Sequence, residues 1–378
     1  MKLIKTLLPA VTALIFTACS VNQVDAPKKE LNTNLKEDRD YLAIVGRTNT
    51  LHIIDSKEQK VIRSCNLKGT HGAGAMVVSP NGQEAYVLQD RMQAIYGYDL
   101  NTCENTFSTS LTQGNTRGIA IFSIAISKDG KELYTIYSPS QKSIDQYKIL
   151  DPVFAVFNPK AGLNAKATRT FKAPRQTTIL MTGYNGEVYA SGPDIYKLNP
   201  KNGEVNVAAK LRNWTKAKHS QPDVLAMWPI GNVSNEFLTM YTAAKFADEK
   251  QSMETAEFVW GATRIDLKTG EVEQENFAPI ESIMFTGMTH PKDSNLLYGV
   301  LTDLTKFDRK NQKVIKRVYL DHTYYCLNFA TDGSKLYIGG TYNDIAIYNP
   351  DTLDKIGNIA LPSGDTGAST LQVFRVSK

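Results

Sequence analysis

The chemistry open to this chain is bounded by five histidines and four cysteines. His52, His71, His219, His290 and His322 never fall at the i, i+4 spacing that sets two imidazoles on one metal ion. Cys19, Cys65, Cys103 and Cys326 make no Cys-x-x-Cys pair and no Cys-x-x-Cys-His haem attachment sequence, so neither a cysteine zinc cluster nor c-type haem is expected on this chain. A Gly-x-Ser-x-Gly nucleophile elbow is missing, as is a glycine loop that could cradle phosphate. What remains is acid–base work: Asp223 or Glu281 could serve as a base beside His219 or His322 if the fold brought them together. No catalytic residue is assigned, and an active site complete within this chain is not expected.

The elements that must position these residues begin after a leader. Residues 1–18 read as a signal peptide: Lys2 and Lys5 give a positive start, and the 13 residues from Thr6 to Ala18 are too short to span a bilayer. Phe16-Thr17-Ala18-Cys19 resembles a lipobox, in which Cys19 becomes the lipid-bearing first residue of the mature protein. Ala18-Cys19-Ser20 also fits cleavage by the ordinary signal peptidase, and Ser20 fits sorting to the outer membrane. Residues 19–38 are polar and read as a lipidated or flexible tether. The expected location is the periplasm, with the membrane reached only through lipid on Cys19. A formal net charge of +5 without a clustered basic face argues against nucleic acid as a partner. Export places the thiols in an oxidising compartment, where Cys65, Cys103 and Cys326 leave at least one unpaired.

From residue 39 to 378 one pattern recurs: an alternating strand, a Gly- or Asn-bearing turn, a second strand, a third ending in Asp or Asn, a polar turn, and a fourth. The first turns are Ser79-Pro80-Asn81-Gly82, Ser127-Lys128-Asp129-Gly130, Tyr184-Asn185-Gly186, Pro291-Lys292-Asp293-Ser294 and Thr331-Asp332-Gly333, and each precedes a strand with a tyrosine: Tyr86, Tyr134, Tyr189, Tyr298 and Tyr337. Asn-Gly and Asp-Gly supply the positive φ that a tight hairpin needs. Seven such units share about 340 residues, roughly 48 each, which suits four-stranded propeller blades. The fold predicted is all-β, a seven-bladed β-propeller. The first unit has room for only three strands, and Ser369 to Val376 is a strand without a partner, so the two chain ends are expected to share a blade and close the ring.

This topology sorts the remaining residues. Links from the outermost strand of one blade to the innermost strand of the next emerge on one face, and the first hairpin turns on the other. The links hold His71, Arg117, Pro174-Arg175-Gln176, His219 to Asp223, Glu281 and Asp321 to Tyr325, a polar and aromatic set of the kind that loops on a rigid scaffold use for binding. Any one of these residues could instead cap a strand end. Trp214, Trp228 and Trp260 are expected in the core or an interface rather than as precursors of a redox group. Cys326, in an inner strand, is expected to be a buried inert thiol. Cys65 ends an outer strand and Cys103 lies in the next unit's outer turn, which leaves a disulfide between them open.

Three runs are more specific than a propeller repeat: Phe171-Lys172-Ala173-Pro174-Arg175-Gln176, Gln221-Pro222-Asp223-Val224-Leu225-Ala226-Met227-Trp228, and Ile315-Lys316-Arg317-Val318 followed by His322-Thr323-Tyr324-Tyr325. With Thr331-Asp332-Gly333-Ser334 and Leu361-Pro362, they make the body after the tether resemble the β subunit of periplasmic quinohaemoprotein amine dehydrogenase, a seven-bladed propeller with YVTN-like repeats. The resemblance implies a division of labour in which this chain holds no cofactor. A small cross-linked subunit bearing cysteine tryptophylquinone oxidises a primary amine to an aldehyde and ammonia, and a dihaem cytochrome c subunit accepts the electrons. It also implies that Arg175, Gln176, Gln221, Asp223, His322, Tyr324 and Tyr325 line the subunit interface or the substrate pocket. Replacing His322 and Tyr324 together is expected to weaken assembly and to spare the fold. Two other classes fit the same repeat: a stand-alone propeller hydrolase of the lactonase kind, which needs an acidic or metal-binding cluster, and an outer-membrane assembly scaffold lipoprotein.

Overall fold

A computed structural model describes residues 34–224 and 230–377. The signal peptide, Cys19, most of the tether, and Leu225 to Pro229 with Trp228 among them lie outside the described residues. The rest is a ring of seven antiparallel sheets, six of four strands and one of six. From the axis outward, blade 2 is typical: Met76–Val78, Glu84–Gln89, Ala94–Asp99 and Asn105–Ser110. The first turns fall where the sequence placed them, and Gly82, Gly130, Gly186 and Gly333 hold φ between +68° and +81°, the left-handed region that these hairpins need.

The second-strand tyrosines form the packing between blades. Tyr86, Tyr134, Tyr189, Tyr298 and Tyr337 are all fully buried. Each sinks its ring against the neighbouring sheet, and in several the hydroxyl finds a polar partner: Tyr86 donates to Glu84 at 2.8 Å, Tyr134 to Glu132 at 2.7 Å, and Tyr298 to the Pro350 carbonyl at 2.9 Å. This explains the recurrence of tyrosine where a leucine would bury as well: the ring fills the seam and the hydroxyl fixes its depth.

Blade 1 joins the two ends of the chain. Gln372–Phe374 is the innermost strand and pairs antiparallel with Tyr41–Gly46, with Tyr41 opposite Phe374 and Ala43 opposite Gln372. Thr50–Asp55 and Lys60–Asn66 complete the sheet. Asp40 reinforces the closure by accepting from the Thr331 amide and hydroxyl of blade 7, both at 2.7 Å, and from Arg375 at 2.5 Å. The last residues before the ring also pack onto it: Leu35 is buried, and its amide donates to Asn101 at 3.0 Å. Cys65 and Cys103 form a disulfide that staples blade 1 to blade 2, and Cys326 is a buried free thiol that burial pushes up to about 12.

Candidate docking face and axial cavity

Inner strands run from the link face to the hairpin face and second strands run back, so turns between second and third strands join the links on one side. Two of these turns are enlarged. In blade 3 the second strand, Leu133–Lys142, continues past the sheet, where Ser138 to Lys142 pairs with Thr116–Ile119 on one edge and Tyr147–Ile149 on the other. In blade 5, Glu236–Lys245 and Glu257–Asp266 stay paired over ten residues, from Glu236 opposite Asp266 to Lys245 opposite Glu257. Two ribbons therefore flank blade 4.

The links carrying the predicted residues lean on these ribbons. Arg175 pairs with Asp151 at 3.1 Å and donates to the Leu150 carbonyl, both at the base of the blade 3 ribbon. On the other side, His219 bridges Lys245, the Ser220 amide donates to the Ala244 carbonyl at 2.9 Å, and the Gln221 amide group reaches the Trp214 carbonyl at 3.2 Å. Gln176, Gln221 and Asp223 are exposed, and Gln176 sits at a φ of +60°. His322 and Tyr324 meet at a residue the motifs did not single out: Asp344 accepts from His322 Nε2 and from the Tyr324 hydroxyl, each at 3.0 Å. The His322 and Tyr324 rings lie 4.0 Å apart, and exposed Tyr342 stands edge-on to His322 at 4.6 Å. Tyr325 packs on Phe285 at 5.2 Å.

These contacts bring His322, Tyr324 and Asp344 together; Tyr325 shares the link of His322 and Tyr324, while Arg175 with Gln176 and Gln221 with Asp223 stand at two other links. Tyr324 is 1% exposed, so its replacement costs the propeller stability, and the double change of His322 and Tyr324 does not spare the fold. The proposed acid–base pairs are not assembled: Glu281, one of the two candidate bases, binds Arg317 at 3.0 Å, and His219 Nε2 faces Asn276. Desolvation holds the His219 ring below its ordinary pKa. Among the described residues no group of three or more His, Cys, Asp or Glu is placed to hold a metal ion. Trp214 and Trp260 are buried, their ring N–H groups donating to the Ser220 and Ser282 carbonyls.

The link face is also where apolar surface collects. Ile121, Ile144, Tyr147, Ile149, Met253, Phe258, Ile283, Tyr319 and Tyr342 are exposed there, on the two ribbons, the links and the neighbouring turns. Elsewhere large exposed apolar residues such as Val207, Ile315 and Ile356 stand along the outer strands. Exposed apolar side chains gathered on one face suit contact with another molecule better than single ones spread along outer strands.

The axis holds a cavity of about 510 Å3 that opens at the opposite end, among the hairpin turns. Its walls are inner-strand residues such as Met76, Ile126, Leu180 and Phe374, and Ser79, Lys128, Tyr184 and Arg375 form its rim. None of the seven predicted site residues lines it. Part of its wall comes from residues 230–235 of blade 5, which cross the axis. There Asn232 donates to the Val373 carbonyl at 2.8 Å, and a Cβ at Gly231 would strike the Met288 sulfur and the Leu327 carbonyl.

The fold defines the class: a seven-bladed β-propeller. No family model matches the chain, and no curated protein matches it in sequence. Among solved structures the fold is similar to that of dihydro-haem d1 dehydrogenase NirN in complex with DHE, at 12% identity over 91% of this chain and 76% of that one, with a TM-score of 0.53. It is similar too to apo AztD from Citrobacter koseri, at 9% identity over 90% and 99% of the two chains with a TM-score of 0.50. Hydrazine synthase from Kuenenia stuttgartiensis matches at 13% identity over 87% and 98%, with a TM-score of 0.51. Likeness at these identities carries the fold alone.

Proposed function

We propose that this chain is the cofactor-free propeller subunit of a periplasmic quinohaemoprotein amine dehydrogenase. In this reading the link face docks a small subunit carrying cysteine tryptophylquinone and meets a dihaem cytochrome c subunit. Those groups supply the redox chemistry: a primary amine gives up two electrons and, with water, becomes an aldehyde and ammonia. The propeller contributes docking area, the shape of one pocket wall and exclusion of water.

The observation that carries the reading is a coincidence of two independent features on one face. Of the runs that resemble the amine dehydrogenase subunit, the stretches Ala173 to Gln176, Gln221 to Pro222 and His322 to Tyr325 lie in links, while Phe171-Lys172, Asp223-Val224 and Ile315 to Val318 lie in strands. The same face holds the two ribbons and the collected apolar side chains, Tyr147, Ile149, Met253, Phe258, Ile283 and Tyr342 among them. A partner that sits between the ribbons would cover blade 4 and bring Arg175, Gln176, Gln221 and Asp223 into contact with it. A hydrolase of the lactonase kind needs a metal or acidic cluster instead, and among the described residues no feature of either face favours it.

The test is purification of the tagged chain from its native periplasm under conditions where the extract oxidises amines. A haem-staining chain and a small quinone-staining chain are expected to elute with it. Recovery of the propeller without a coloured partner from an extract that still oxidises amines would remove the proposal.

A further inference from the structure

The axial cavity is not used by the proposed function, and its chemistry is one-sided. Lys128 and Arg375 are the charged residues that line it, and both are cations. Arg375 is already bound to Asp40 at 2.5 Å. Lys128 has no carboxylate partner among the described residues; the neighbouring Asp129 is occupied by the Ser127 hydroxyl at 2.6 Å and by Lys131. The Lys128 ammonium instead stands 4.6 Å from the centre of the Tyr184 ring, which Asn235 holds by accepting from its hydroxyl at 2.9 Å. Lys128 keeps contact with solvent, yet the surrounding rim desolvates it and holds its pKa below the ordinary lysine value. A cation placed this way lacks a counter-ion at the entrance to a chamber whose wall mixes apolar and polar groups.

We infer that the axial cavity binds a small amphipathic organic anion, its carboxylate on Lys128 and its apolar body against Ile126, Leu180 and Phe374. The volume falls in the range of ordinary small-molecule pockets. The Thr182 hydroxyl, which has no hydrogen-bond partner, adds a free polar group to a wall that is part apolar and part polar. This site is on the face opposite the links, so it stands or falls independently of the proposed docking.

The test is calorimetric titration of the mature chain with sodium octanoate, and with octylamine as the oppositely charged probe of equal length. Octanoate is expected to bind at one site and octylamine is not. Lys128→Met, which keeps the aliphatic stem, is expected to weaken octanoate by about tenfold or more, and Lys128→Arg to retain it. Lys131→Met, on the same turn, serves as the charge control and is expected to leave binding unchanged. Should Lys128→Met prove unfolded by circular dichroism, Tyr184→Leu, which removes the ring beneath the ammonium, takes its place with the same weakening expected. No saturable octanoate binding, equal binding of octylamine, or equal weakening by Lys131→Met would each overturn the inference.

Discussion

Ring closure can be tested by shortening the chain after Ala368. The deletion removes the strand Gln372–Phe374 and, with it, three apolar side chains that are almost fully buried: Leu371 at 1% exposure, Val373 at 2% and Phe374 at 6%. Burial of each such side chain is worth about 1.5–3 kcal/mol, so the loss is about 5–9 kcal/mol before hydrogen bonds are considered. Ser369, whose hydroxyl accepts from the Val45 amide at 3.1 Å, goes as well, and Asn232 loses its backbone partners on Val373. Because whole domains are stable by only about 5–15 kcal/mol, the truncated chain is expected to be largely unfolded or to unfold at far lower urea. A graded version avoids that extreme. Val373→Ala should cost about 2 kcal/mol in urea titrations followed by circular dichroism, while Val207→Ala, at a position 51% exposed, should change stability by less than about 0.5 kcal/mol. An unchanged midpoint after truncation, or equal effects of the two valine changes, would refute the argument that the last strand closes the ring.

His52 is fully buried between the Ser64 and Ser363 hydroxyls, and burial depresses its pKa to about 4. The unfolded chain takes up this proton near pH 6.5 and the folded chain does not, so stability should fall by about 3 kcal/mol as pH drops from 6.5 to 4 and stay level above 7; His52→Gln should flatten that slope in urea titrations. Reduction of the Cys65–Cys103 disulfide, which closes a separation of 38 residues, should cost about 4 kcal/mol on the chain-entropy account, read as a lower urea midpoint in dithiothreitol. Tyr342→Ala and Ile283→Ala, both at exposed link-face positions, should leave the melting temperature of the isolated chain nearly unchanged and weaken recovery of the coloured complex at least tenfold. Tyr324→Ala, by contrast, should lower the melting temperature, since its ring is core and its hydroxyl serves Asp344.

The blades were legible in the sequence because their signals are local. An Asn-Gly or Asp-Gly turn followed three or four residues later by a buried tyrosine specifies both the hairpin and the face of the second strand, and those positions proved to be Tyr86, Tyr134, Tyr189 and Tyr337 in the structure. Closure followed from arithmetic, because a three-stranded first unit and a spare last strand have one economical solution. The contacts of the link residues were not legible. Asp344 gathers His322 and Tyr324 from the start of a third strand, 22 and 20 residues along the chain, with no motif to announce it. The ribbons on blades 3 and 5 come from ten-residue strands, longer than a propeller blade needs. The axial cavity depends on side chains from several inner strands and on residues 230–235 crossing between them, and no single stretch of sequence encodes that.

Lysine-directed cross-linking of the native periplasmic assembly, read by mass spectrometry, addresses the docking face most directly. Exposed Lys148 on the blade 3 ribbon and Lys250 on the blade 5 connection should join to a haem-bearing or quinone-bearing chain, while exposed Lys131 and Lys292 in the hairpin turns should not. Cross-links to such a chain from Lys131 and Lys292 alone would place the partner on the wrong side of the ring and contradict the account.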